Sequence, residues 1–348
     1  MAYTTVDNPE LYFQAKLYNG NGGTQSITLD GTENMQPDWV WCKGRNFADN
    51  HISFDSVRGA TKVFKPNLDN AETTVAATLT SFDSDGFSLG SDGEINQNNK
   101  TFVAWNWKAG DSASSNSDGS ITTSVNVNQT AGFSIITYTG SNSDTTIGHG
   151  LGVKPNLFII KSRSNANAWI MGGDKIGSDN NGTLFLAETD AVASTDTNFN
   201  NTAPTSSVIT LRNTNSQANR ASYTYVCYAF ADIKGYSKFG SYSGNGNADG
   251  PFVYTGFLPA FVMWKRTDAA NDWMMGDNKI TTFNPKDGMM RANLTNAELS
   301  TNPVDFLSNG FKIRLSGNAF NNSSGTYIYM AFAESPFVNS KGVPNNAK

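Results

Sequence analysis

Three stretches of the chain set cations beside aromatic side chains at matching spacing. They read Pro37-Asp-Trp-Val-Trp-Cys-Lys43, Pro155-Asn-Leu-Phe-Ile-Ile-Lys161 and Pro259-Ala-Phe-Val-Met-Trp-Lys265, and an Arg follows each, at Arg45, Arg163 and Arg266. A Trp comes next in the second and third, at Trp169 and Trp273, where the first has Phe54. An indole face beside a guanidinium can hold a sugar or an anion. Arg163, Trp169, Arg266 and Trp273 are therefore the candidate ligand-binding residues. The competing reading is structural: a cation at a strand end pairs with a carboxylate and packs its stem on Trp. Recurrence in all three stretches favours the structural reading, because repeated scaffolds repeat structural needs.

Other chemistry finds less support. Gly86-Phe-Ser88-Leu-Gly90 matches the nucleophile elbow of hydrolases, but that elbow must open a helix. Here turn residues follow, and Gly310-Phe-Lys312 stands at the corresponding place later in the chain. Asp83-Ser-Asp85-Gly86 could supply paired carboxylates or a weak calcium site, yet it suits a tight turn better. His51 and His149 are the two histidines, and neither has the clustered His, Cys or carboxylates that zinc requires. His149, within Gly148-His-Gly-Leu-Gly152, reads as a turn residue capping backbone groups. Cys42 and Cys227 lie in apolar runs and read as buried thiols. No phosphate-binding loop of the G-x-x-x-x-G-K-[ST] type occurs. We expect no catalytic residue, no metal and no cofactor.

The elements that must carry these residues are short. Apolar runs are β-branched or aromatic and often alternate, as in Phe133-Ser-Ile-Ile-Thr-Tyr138 and Phe311-Lys-Ile-Arg-Leu315. Turn clusters such as Asn21-Gly22, Asn181-Gly182 and Asp92-Gly93 separate them. No window carries a helical stripe. A larger repeat organises the strands: Tyr18-x-Gly20, Tyr138-x-Gly140 and Tyr242-x-Gly244 each precede one Pro…Lys stretch. Each copy closes with an aromatic strand, Phe102–Trp107, Tyr225–Phe230 and Ile328–Phe332. This period is far longer than that of solenoid repeats and suits whole domains.

The fold expected is all-β, with three tandem related β-sandwich modules of jelly-roll type and a short N-terminal arm. Residues 1–12 form the arm, 13–110 the first module, 111–124 a polar linker, 125–234 the second module, 235–338 the third, and 339–348 a C-terminal tail. The second and third modules meet with hardly any spacer and should pack rigidly. The arm and tail are expected to order only against a partner.

The composition narrows the function classes. The chain has 348 residues and a formal charge of −5, which gives no broad attraction to phosphate backbones, so nucleic acid is not an expected partner. Its 22 Phe, 12 Tyr and 7 Trp are enough to build real cores, which argues against disorder. No apolar stretch is long enough to span a bilayer, and residues 1–12 carry no secretory pattern. Synthesis in a reducing cytoplasm and no membrane insertion are expected.

Several strings resemble a family of virion proteins from tailed bacteriophages, especially phages of marine bacteria. They are Phe82-Asp-Ser-Asp-Gly-Phe87, Thr101-Phe-Val-Ala-Trp-Asn-Trp-Lys-Ala-Gly110, Ala131-Gly-Phe-Ser-Ile-Ile-Thr-Tyr-Thr-Gly140, Gly148-His-Gly-Leu-Gly152 and Ala331-Phe-Ala-Glu-Ser-Pro-Phe-Val338. Members of that family are labelled tail-fibre-like or uncharacterised structural proteins. The resemblance runs from about residue 13 to 345 and implies a non-enzymatic structural protein on the virion surface, made in the host cytoplasm. It further implies tail or capsid proteins as partners, a host surface glycan or receptor as target, and a homo-oligomer. The chain departs from long tail fibres in having no coiled-coil or β-helical shaft. A capsid decoration or head-fibre protein is the alternative within that class, and a polysaccharide-degrading tail enzyme the alternative outside it.

Overall fold

The computed structural model describes residues 3–177, 182–194, 198–213 and 217–346. Among these residues antiparallel strands dominate, and the two α-helices, Gly93–Asn96 and Asn318–Asn321, are single turns. The chain is all-β, as the alternating apolar pattern requires.

Three sheets share one strand order. In the first, the opening strand Phe13–Asn19 pairs with the closing strand Thr101–Trp107, which pairs with the central strand Trp39–Gly44 and then His51–Asp55. The second repeats this with Phe133–Thr139, Thr224–Phe230, Leu157–Ser162 and Ile170–Gly173. The third uses Ser237–Ser243, Thr326–Pro336, Phe257–Arg266 and Met274–Asp277. A second layer covers the outer face of each. In the first unit this layer is a small sheet of Gln25–Thr28, Gly86–Leu89 and Leu79–Asp83, and in the second it is the pair Thr145–Gly148 and Val208–Leu211. In the third the main sheet itself folds over, through Lys286–Arg291, Leu299–Leu307, Gly310–Ile313 and Phe252–Tyr254. The fold-over strand Leu299–Leu307 shifts register against Lys286–Arg291 and contains Pro303, which a regular central strand would not tolerate.

The Tyr-x-Gly repeat has a physical cause. Tyr18 stacks on Phe102 at 5.2 Å, Tyr138 on Tyr225 at 5.1 Å and Tyr242 on Tyr327 at 4.8 Å. Each tyrosine hydroxyl donates to a carbonyl on the chain leading to the closing strand: Ile95, Ala218 and Phe320, all at 2.8 Å. The next residue is in every case a fully buried Asn: Asn96, Asn219 or Asn321. Its side-chain oxygen accepts from the backbone N–H of Asn21, Ser141 or Asn245, and its amide donates to carbonyls of the same turn. The Gly is needed because a Cβ at Gly20, Gly140 or Gly244 would overlap the carbonyl oxygen of Gln97, Arg220 or Asn322.

The first and second units each keep an apolar cluster of their own on the outer face of the sheet, but the inner faces of all three sheets meet. One apolar cluster takes Trp39, Trp105 and Trp107 from the first, Phe133, Tyr228 and Phe230 from the second, and Phe261 and Phe332 from the third. Trp39 stacks on Tyr228 at 4.6 Å, Trp107 meets Phe332 at 5.7 Å, and Phe230 meets Phe332 at 5.9 Å. Central strands are consequently buried on both faces. The expectation of modules with individual cores needs one addition: each sheet has one face in the shared core, while the outer face packs in a cluster of its own in the first and second units and joins the shared cluster in the third.

The expected linker and termini also change. Within 111–124, Ser114–Asn116 is an edge strand paired with Thr123–Asn128, since an edge needs backbone hydrogen bonds and no apolar side chain. The arm is held by its own chain. Thr4 and Val6 are buried, and the Thr4 hydroxyl donates to the Lys234 carbonyl at 2.7 Å. Asp7 accepts from the Ser340 backbone N–H at 2.7 Å, and Asn345 donates to the Ser308 carbonyl at 3.0 Å, so both chain ends lie against the third unit.

Candidate functional site

The period of two along a strand puts Trp39, Trp41 and Lys43 on one face, and likewise Leu157, Ile159 and Lys161, and Phe261, Met263 and Lys265. That face is the shared core, so the lysines reach its rim, where a loop of a neighbouring unit passes. Lys43 Nζ donates to Gly44 O at 3.0 Å and to Thr295 O of the third unit at 3.2 Å. Lys161 donates to Ser162 O at 3.0 Å and to Asp69 O of the first unit at 3.2 Å. Lys265 donates to Arg266 O at 2.7 Å and to Thr189 O of the second unit at 3.0 Å. The contacts run from first to third, second to first and third to second, and so close a circle. Burial lowers each ammonium to about 8, and Asp49, Asp69 and Asp190 respectively oppose that shift.

The residue eight positions after each Lys completes the joint. Trp169 Nε1 donates to Lys65 O at 3.3 Å and Leu68 O at 3.1 Å, and Trp273 Nε1 donates to Phe185 O at 2.9 Å. In the first unit this place is held by His51, which faces Lys43 across the strand pair. Phe54, expected to stand in for Trp, instead lies in the outer core. Trp41 Nε1 donates to His51 Nδ1 at 2.9 Å, which leaves the proton on Nε2 to donate to Arg291 O at 2.9 Å. Burial drives the His51 pKa down to about 3, so the ring stays neutral. The His51 match was legible from the common spacing of eight residues after Lys.

The arginines divide. Arg45 pairs with Glu298 of the third unit at 2.7 Å, and Arg163 with Glu72 of the first at 2.9 Å. The backbone N–H groups of Glu298 and Glu72 donate to Arg45 O and Arg163 O, and at the third joint Val192 N donates to Thr267 O. Thr267 and Val192 thus replace an Arg–Glu pair together. Arg266 lies one residue earlier and pairs with Asp268 of its own unit at 2.9 Å. A second set varies in the same coordinated way. Trp105 Nε1 donates to Asp277 at 2.9 Å and the Tyr228 hydroxyl to Asp55 at 2.6 Å, whereas the third joint has Met330 and Gly173 at these places. Asp55 is also paired with the fully buried Arg58, which reaches Glu72 at 3.2 Å.

The ligand-binding reading of Arg163, Trp169, Arg266 and Trp273 is corrected by this geometry. Trp169 and Trp273 are 1% exposed and offer no face to a ligand, and the two arginines are engaged by carboxylates at different joints. The remaining candidates are also placed. Ser88 is in a regular strand, with its hydroxyl donating to Asp83 at 2.7 Å. Asp85 accepts from the Met35 backbone N–H at 3.2 Å, as a turn residue does. His149 is buried and accepts from Leu151 N at 3.2 Å. Cys42 and Cys227 are buried free thiols, and burial raises Cys42 to about 12. Among the described residues no cluster of three or more His, Cys, Asp or Glu could hold a metal, and no helix is long and apolar enough to cross a membrane.

A groove with exposed aromatic walls, which the sequence did not single out, opens among the described residues. Its volume is about 450 Å³, within the range of small-ligand sites, and it lies where the arm and the start of the tail meet the third unit. Tyr3 and Tyr254 line it and are 57% and 60% exposed, whereas every Trp is buried. Lys234, Lys238 and Asp232 supply charge, with Lys238 bound to Asp232. The signal available in sequence was Tyr254 in Phe252-Val-Tyr254, an apolar run flanked by Gly250 and Gly256.

A model of the family DUF7483, described as a domain of unknown function, matches residues 8–336. No curated protein and no solved structure matches the chain.

Proposed function

The chain belongs to the family DUF7483, a domain of unknown function, and we propose that it is a non-enzymatic structural protein of a bacteriophage particle, exposed on the virion and serving host attachment. The observation that carries this reading is the use made of the repeated polar side chains. Lys43, Lys161, Lys265, His51, Trp169 and Trp273 all bind backbone carbonyls of a neighbouring unit. Groups occupied in closing a scaffold do not turn over a substrate. We read the three sheets as copies of one unit, since they share strand order, the Tyr-x-Gly turn and the joint chemistry.

In this reading the protein is made in the host cytoplasm and works at the virion surface. Its partners are other tail or capsid proteins and a host surface glycan. The resemblance of strings such as Thr101-Phe-Val-Ala-Trp-Asn-Trp107 to tailed-phage virion proteins supports the assignment. Quantitative mass spectrometry of purified particles against the major capsid protein tests it. A few copies to a few tens per particle is the expected result. A fixed ratio to the capsid protein would replace attachment by head decoration. Absence from particles would overturn both, and release of reducing sugar from host capsule would then establish the enzyme alternative.

A further inference from the structure

We propose that the groove between Tyr3 and Tyr254 binds an acidic saccharide, with the two phenol faces against the sugar and Lys234 on its carboxylate. This names the ligand class of the attachment reading and rests on that reading for its biological setting.

A left-handed glycine shapes the backbone beside each tyrosine. Gly235, at φ +81°, leaves no room for a Cβ because Thr4 and Pro336 occupy the space. Thr4 fills that notch, donates to Lys234 O at 2.7 Å and accepts from Val6 N at 3.0 Å, which fixes the backbone next to Tyr3. Gly256, at φ +86°, lies against the Tyr254 hydroxyl, 3.5 Å from where a Cβ would stand. Beyond it, Phe337 N donates to Gly256 O at 3.1 Å, so the chain under Tyr254 is tied to the end of the closing strand.

The chemistry selects among ligands. An exposed phenol face packs on the C–H face of a sugar ring, and nearby hydroxyls and charges meet its polar edge. Ser237 and Thr255 lie in the lining, but both are buried and their hydroxyls donate to Ala231 O and Phe257 O, which leaves the polar edge of the sugar to the exposed charge. Lys238 is neutralised by Asp232, whereas no carboxylate among the described residues pairs with Lys234, whose ammonium sits 5.9 Å from the Tyr3 ring centre. One uncompensated positive charge in a groove of a chain with net charge −5 favours an anionic sugar over a neutral one.

The test titrates the full chain with a galacturonate tetrasaccharide and, separately, with maltotetraose. The uronate should bind about tenfold more tightly than the neutral glycan, a difference of about 1.4 kcal/mol. Tyr254→Ala should weaken the uronate by about tenfold, and Tyr254→Phe should keep its affinity, because the phenyl face remains. Lys234→Gln should lower the uronate to the level of the neutral glycan. Both positions are exposed, and an unchanged melting temperature confirms that each variant is folded. Failure of the uronate to bind would overturn the proposal, as would unchanged affinity in folded Tyr254→Ala or in Lys234→Gln. If the chain sits on particles and is needed for adsorption yet binds no uronate, the groove assignment falls and the virion reading stands. Uronate binding by a chain absent from particles gives the reverse.

Discussion

At the scale of the residue, the three buried lysines are the most consequential groups. Each has an ammonium lowered from 10.5 to about 8, with burial the first cause. Between those values the unfolded chain keeps protons that the folded chain has released. Stability contributed by these lysines therefore rises with pH from about 8 toward 10.5. Buried Tyr18, Tyr138 and Tyr242 act oppositely: burial raises their pKa above 10.0, so an unfolded chain loses protons first and stability falls above that pH. Burial likewise raises the Cys42 and Cys227 thiols from 9.0, which opposes the lysines from about pH 9. Denaturant midpoints should therefore climb between pH 8 and 9 and fall above 10. Lys265→Met should reduce the climb, since its folded state has no ammonium to deprotonate. A midpoint flat or falling from pH 8 to 9 would show that the lysines carry no such penalty.

At the scale of the element, the joints between units are where residue types vary together. Arg45–Glu298 and Arg163–Glu72 bridge two joints, and Thr267 with Val192 stands at the third. Installing the missing pair tests whether the joints are interchangeable. Val192→Glu alone should destabilise, because Val192 is a half-buried apolar side chain packed against the shared core. Adding Thr267→Arg should recover more than its own single effect, with a coupling of about 0.5–1 kcal/mol for a half-exposed pair. Additive effects in that double-mutant cycle would mean that the third joint has a different local geometry. The first two joints also differ in depth. Arg58 and Asp55 are wholly buried, and Tyr228 donates to the same carboxylate. Asp55→Ala leaves a guanidinium with Glu72 as its one remaining carboxylate and should cost about 3–5 kcal/mol in chemical denaturation.

At the scale of the molecule, the shared core makes the circle one folding unit. The inner face of the first sheet, with Trp39, Trp41, Trp105 and Trp107, is covered largely by the other two units. A fragment of residues 13–110 would expose that face, and it should aggregate or lack near-ultraviolet circular dichroism. The full chain should show one calorimetric transition with equal calorimetric and van't Hoff enthalpies. Three resolved transitions, or a soluble native-like fragment, would show that the outer layers alone can sustain each unit.

The sequence determined the all-β class, the threefold recurrence of Tyr-x-Gly, Pro…Lys and aromatic closing strand, and the face on which each lysine lies. Strand alternation and turn chemistry are local, and they act over two to eight residues. The spacing of eight after Lys even contained the match of His51 to Trp169 and Trp273. What those side chains touch was decided by tertiary structure. The carbonyls that bind Lys43, Lys161 and Lys265 lie 252, 92 and 76 residues away. Periodicity says which face a residue occupies but not what packs against it. An indole beside a cation therefore reads alike as a sugar platform or a joint. Only closure of the circle buries Trp169 and Trp273 and brings Tyr3 and Tyr254, 251 positions apart, to the walls of one groove.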